Sequence, residues 1–368
     1  MKKITYLTLI LITAVLSACK KDKKPDTGDK ATNFDLLRDS IYMYAQESYL
    51  WNKDLPSMAS FEPRSFKSTS ELRGLQKEVD ALSQYAINDA TNLPYEYYSD
   101  SPGESKYSFI DEGGVSDELE GNAGNYGFEP IVSNDGDLYI AYVYEGSKAS
   151  AAGLKRGYKI LEVNGSSVYD MNGNQLTQAF YYDESIKVKV EKPDHSTYIT
   201  TVTASPYTIN PVLADTVITR GSHVIGYLAF NSFTSPENAG PILDVVFNKF
   251  EAQHVTDLVV DLRYNGGGYV ATAYNLSNLI VPSAQNNKLM FTYNYNSNLQ
   301  NDKYPLLKKK EIEIFESPIE KGDFKLENNR YGFFKKGNLN VNKVCFLVTG
   351  NTASASEMLI NNLNPHMD

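Results

Sequence analysis

The sequence predicts a multidomain α/β chain: a helical module, then a β-rich domain, then an α/β core. Three observations carry this. Apolar residues recur at three- and four-residue steps from Phe34 to about Leu93. Around Gly113-Gly114 the composition turns to short strands and glycine turns. From Gly221 onward apolar strands alternate with helical stripes, the pattern of a largely parallel sheet covered by helices. A length of 368 residues sustains two or three such cores. The formal net charge of −10 argues against nucleic acid as a partner.

The elements follow in order. Lys2 and Lys3 precede an apolar stretch, Ile4 to Leu16, that is too short to span a bilayer and has the form of a secretory signal. Leu16-Ser17-Ala18-Cys19 resembles a bacterial lipoprotein box, which implies a signal over 1–18, lipidation of Cys19 and a membrane-anchored protein of the bacterial cell envelope. Residues 19–33, rich in Lys, Asp, Pro, Thr and Gly, read as a flexible tether. The helical module spans 34–112. Its first helix carries Leu36, Leu37, Ile41, Tyr44, Ala45 and Tyr49, and its second starts at Ser68-Thr69-Ser70 and runs through Leu72, Leu75, Val79 and Leu82. With Cys19 lipidated, Cys345 has no disulfide partner; within the apolar run Val344–Val348 it reads as a buried strand residue. No metal-ligand spacing occurs and no cofactor is implied.

Between 113 and 205, two strands (Tyr126–Val132 and Leu138–Tyr144) flank Asn134-Asp-Gly136. A short helix, the Ala-Gly-Leu154 step, a strand and the Val-Asn-Gly165 turn follow. This order resembles a PDZ domain of the bacterial protease type. The resemblance implies that an extended peptide pairs with a sheet edge and that its C-terminal carboxylate meets backbone amides at Tyr126-Gly127-Phe128. The alternative is a structural domain that closes over the core. From 206 to 368 come strands Val224–Phe230 and Leu258–Leu262, a helix from Pro241 to Gln253 between them, a helix from Val270 to Ile280, and the strand Val344–Val348. Residues 282–342 break this rhythm and read as a hairpin-bearing insertion.

Two loops carry chemistry. Asp257-Leu-Val-Val-Asp-Leu-Arg-Tyr-Asn-Gly-Gly-Gly268 ends a strand in three glycines, which permit positive φ and aim N–H groups at one point. Thr352-Ala-Ser-Ala-Ser-Glu357 delivers Ser354 to the first turn of a helix, where a developing anion is favoured. Ser354-x-x-Glu357 also fits a capping box, and Ser356 reads as structural. Together with the upstream PDZ-like domain, the two loops resemble the C-terminal processing (tail-specific) peptidases of family S41. The resemblance covers roughly 113–368. It implies a ClpP/crotonase-like core, with Ser354 as nucleophile and the N–H of Ala355 plus one from Gly267 or Gly268 as oxyanion hole. Its substrates would be polypeptides bound by their C-termini, and a lysine about 25 residues beyond Ser354 would act as base. That position lies past Asp368, so the expectation is a core truncated before its base. The four histidines, His195, His223, His254 and His366, make no convincing triad with Ser354. The alternative function is an inactive lipoprotein that binds peptides through its PDZ domain.

Overall fold

The computed structural model describes residues 31–99, 101–315 and 317–367, which form two units. The signal, Cys19 and most of the tether lie outside the described residues.

One unit joins residues up to Gly113 with Phe291–Tyr331. Its first helix, α1 (Asn33–Ser48), is started by a reciprocal cap. Thr32 Oγ1 accepts from Asp35 N–H at 3.1 Å, and the Asp35 carboxylate accepts from Thr32 N–H at 2.9 Å. The second, α2 (Glu71–Ser83), begins after Ser70 as its sequence predicts and buries Leu75 and Leu82. Residues from the insertion belong to this unit, which sequence reading left without a role. The Glu47 carboxylate of α1 accepts the N–H groups of Leu306 (2.9 Å) and Leu307 (2.7 Å), satisfying orphan donors at the start of the short helix Pro305–Lys309. Asn296 Nδ2 donates to the carbonyls of Glu47 and Tyr49, at 2.9 and 2.8 Å.

The other unit holds the β-rich module and the α/β core. A short helix, α3 (Gly114–Leu119), precedes the module. Its sheet runs β1 (Phe128–Val132), β2 (Leu138–Val143), β3 (Lys159–Val163), β4 (Ser185–Glu191) and β5 (Thr197–Thr203), neighbours pairing antiparallel in that order. Alternation sends Ile140, Ile186, Val188, Val190 and Val202 to one buried face, and a bulge between Ile160 and Glu162 lets both Ile160 and Val163 join it. The Asn164-Gly165 turn has φ of 52° and 87°, the left-handed pair that a two-residue hairpin turn needs. The strand order and the Val-Asn-Gly turn are those expected of a PDZ-like domain.

The core sheet runs β6 (Val212–Arg220), β7 (His223–Phe230), β8 (Asp257–Asp261) and β9 (Lys343–Leu347); β6 and β7 are antiparallel and the rest parallel. Helices α4 (Pro236–Ala252), α5 (Val270–Ile280) and α6 (Ala355–Leu363) accompany it. Two expectations need correction. The helix before β8 starts five residues earlier than expected, because Pro236 takes the first helical position, where its missing N–H costs nothing; Pro241 then lies inside the helix. Cys345 is exposed, and Val348 is half exposed. Among the described residues β9 pairs only with β8, so the apolar run lacks the neighbour on its other edge that would bury it.

Candidate active site

Ser354 caps the N-terminus of α6, is exposed, and has φ 56° and ψ −119°. A non-glycine residue there stores about 1–3 kcal/mol of strain and persists only where its surroundings impose it. Those surroundings are visible. The Glu357 carboxylate accepts Ser354 N–H at 2.9 Å. Thr352 Oγ1 donates to Leu262 O at 2.9 Å, and Thr349 Oγ1 to Arg263 O at 3.1 Å, tying the serine loop to the glycine loop. Ser356 is fully buried and its Oγ lies 3.3 Å from Asn265 O, a structural bond.

The glycine loop meets the serine at van der Waals limit. A Cβ placed on Gly267 would sit 2.6 Å from Ser354 Cβ, 2.9 Å from Ala353 O and 3.1 Å from Ala355 N; its φ is 113°. Gly267→Ala is therefore expected to cut activity at least about 100-fold and to cost about 2–3 kcal/mol of stability, since backbone on both sides must shift. Turnover and thermal unfolding of the variant check this.

Asn265, 1% exposed, organises the loop. Its Nδ2 donates to Phe230 O at 2.9 Å, and its Oδ1 accepts Gly267 N–H at 2.8 Å. That second bond decides between the two glycines: Gly267 N–H is already engaged, leaving Gly268 as the one that can offer a donor. Phe233 N–H donates to Gly267 O at 2.9 Å and Tyr269 N–H to Phe233 O at 2.7 Å, so the strand-like bridge at Gly268 uses its neighbours' groups. At the strand end, Asp261 is bound by Arg263 through Nε (2.9 Å) and Nη2 (2.6 Å) and by Tyr227 OH (2.7 Å). Burial raises its pKa, but those donors outweigh burial and hold the carboxyl below its usual range. Asn265, Asp261, Thr349 and Thr352 were missed by sequence reasoning; only the polar positions flanking the glycines hinted at them.

Three of the four histidines are committed elsewhere. His223 Nδ1 is 2.8 Å from Asp257 Oδ2, His195 Nδ1 is 2.7 Å from Glu191, and His366 packs edge-on against Phe333. Among the described residues, no histidine or lysine hydrogen-bonds Ser354.

In the PDZ module, Tyr126 and Phe128 are core residues, 3% and 8% exposed. Tyr126 OH donates to Ala179 O at 3.1 Å, in the π-helical segment Gln178–Tyr182. Gly127 has φ 86° and its N–H donates to Asn125 Oδ1 at 2.9 Å. Tyr144 N–H donates to Gly127 O at 2.8 Å, which fixes the alternation: residues 127, 129 and 131 bond inward to β2, while Phe128, Pro130 and Val132 point their backbone to the open edge. Pro130 brings no N–H to that edge.

Comparison with known proteins agrees with this geometry. The model of "Peptidase family S41" matches residues 224–366. The Bacillus subtilis carboxy-terminal processing protease CtpB is 26% identical over 182 residues, and its CtpA is 30% identical over 194. These matches cover 49% and 52% of this chain but 35% and 39% of those proteins, so the chain spans little more than a third of their length. A crystal structure described as an S41 protease from Bacteroides fragilis superposes with a TM-score of 0.50 at 22% identity, over 95% of this chain and 78% of that one, and shares its fold. Residues 224–366 of the chain are thus similar to peptidase family S41.

Proposed function

We propose that this protein is a serine endopeptidase of the C-terminal processing type, with Ser354 as nucleophile. The observation that supports this best is the strained, exposed Ser354 at a helix N-terminus, pressed against a glycine whose neighbour offers an N–H. In this reading the Ala355 and Gly268 N–H groups receive the oxyanion, and the helix dipole favours the charge. A polypeptide C-terminus adds along the open edge of β1, near Tyr126-Gly127-Phe128, and the chain runs on to Ser354. Ser354 Oγ gives its proton to a neutral lysine and bonds to the scissile carbonyl carbon. The amine leaves with a proton, and water then releases the acyl group. By the resemblance, the lysine comes from a position beyond this sequence. Lipid anchoring through Cys19 at the bacterial cell envelope completes the proposal; among the described residues no helix is long and apolar enough to cross a membrane.

A second reading is peptide binding without hydrolysis, supported by the edge position of β1 in its sheet. Casein cleavage separates the two. It is measured on the 368-residue chain, on the product of the longest reading frame containing it, and on Ser354→Ala forms of both. Cleavage lost in the Ser354→Ala forms supports the peptidase. Binding of free-C-terminus peptides with no cleavage by either form supports the second reading.

A further inference from the structure

A group of tyrosines and carboxylates lies beside the glycine loop and is used by none of the chemistry above. Glu129 and Tyr142 are cross-strand partners, so their side chains share the sheet face opposite Phe128 and the module core. On that face the rings of Tyr142 and Tyr144 are 5.3 Å apart; Tyr142 is 5.5 Å from Tyr264, and Tyr144 is 5.7 Å from Tyr207. Tyr264 immediately precedes Asn265. Glu118 of α3 and Glu129 both face Tyr144 and Tyr207 electrostatically, and Glu129 also feels Glu118.

At the Tyr264 end the cluster already meets one cation: the Arg156 guanidinium lies 6.0 Å from the Tyr264 ring centroid, with Nη2 3.3 Å from Tyr264 OH. Glu129 accepts Tyr181 OH at 2.7 Å, and no cation is among the charges acting on Glu118 or Glu129. Burial pushes the carboxyl of the half-buried Glu129 up, while the Glu118 side chain is exposed. Asn231 is 5% exposed; its Nδ2 donates to Tyr144 OH at 2.6 Å, and its buried Oδ1 has no partner at all. A buried acceptor without a donor costs about 1–3 kcal/mol, so the arrangement is incomplete as it stands.

We infer that Glu118, Glu129, Asn231 and the rings of Tyr142, Tyr144 and Tyr207 form a subsite for a lysine or arginine side chain of the bound polypeptide. A basic side chain would supply a donor for the Asn231 oxygen, charge beside Glu118 and Glu129, and a cation for the Tyr142, Tyr144 and Tyr207 ring faces. A metal ion fits less well, since the described residues hold no group of three His, Cys, Asp or Glu placed for one. The position argues for a polypeptide ligand, because the cluster begins at β1, whose edge is open, and ends at the loop that touches Ser354. The inference rests on the peptidase reading for the identity of that ligand.

The test uses Ser354→Ala protein and fluorescently labelled hexapeptides with free C-termini and one central Lys, Arg or norleucine. Anisotropy at pH 8 is expected to show the Lys and Arg peptides binding at least about tenfold tighter than the norleucine peptide. Glu118→Gln with Glu129→Gln is expected to bring the three within about twofold while leaving the norleucine affinity in place. If the double variant does not fold, the pH profile of the Ser354→Ala protein decides. The preference must fall in acid as Glu118 and Glu129 take up protons, because the facing tyrosines (142, 144, 181 and 207) stay neutral there. Equal binding of the three peptides at pH 8, or a preference unchanged by the glutamines or by acid, overturns the inference. Casein cleavage by the Ser354 protein is scored separately: cleavage without basic preference sinks only the subsite, and basic preference without cleavage sinks only the peptidase.

Discussion

Ser354→Ala is expected to lower peptide-bond hydrolysis by at least about 10³-fold while leaving fold and peptide binding intact. The hydroxyl makes no contact on which the core depends. The serine loop is held by Thr349, Thr352 and Ser356 and by Glu357 on the Ser354 N–H, none of which the variant removes. In the proposed mechanism, residual hydrolysis reflects the Ala355 and Gly268 N–H groups as oxyanion donors. A capping role alone predicts a different result: a loss of about 1 kcal/mol of stability with no selective loss of activity. Turnover and thermal unfolding, measured on the same preparation, separate the two.

Glu78→Gln is expected to stabilise the N-terminal unit by on the order of 4 kcal/mol at pH 8 and by little at pH 4. Glu78 on α2 is fully buried, and both carboxyl oxygens lack a hydrogen-bond partner. Burial pushes its pKa to about 8; the charge of Arg38 pulls it down only in part. A folded pKa above the unfolded one means the folded state holds a proton that the unfolded state has released. Stability from this site is therefore greatest below the ordinary carboxyl pKa, falls as pH rises toward 8, and levels off above it. The amide removes that decline. Trp51, the sole tryptophan of the sequence, stacks on Tyr95 at 4.5 Å in the same unit, so its fluorescence during urea unfolding reports this unit directly. A stability–pH slope identical in the two proteins between pH 5 and 8 contradicts the assignment.

Much of the site was legible because its signals are local. Three glycines after an apolar strand, and a serine ahead of an apolar helical stripe, each specify backbone geometry within a few residues. The helix Val270–Ile280 fell where its periodicity put it. What stayed hidden depends on distant partners. Asn265 looks like any loop asparagine until Phe230 O and Gly267 N–H are brought to its amide. The insertion read as a hairpin-bearing segment without a role because its anchor, Glu47, lies some 250 residues earlier. Cys345 was misread because an apolar run shows that a strand can be buried, and only the neighbouring strands decide whether it is.

The most direct test of the account is reaction with a fluorophosphonate probe followed by peptide mapping, on the product of the longest reading frame containing this chain. The account predicts a single phosphonylated serine, Ser354, with Ser356 unmodified and no labelling of the Ser354→Ala protein. Casein cleavage that survives Ser354→Ala, or a label carried by another serine in an active preparation, would contradict it.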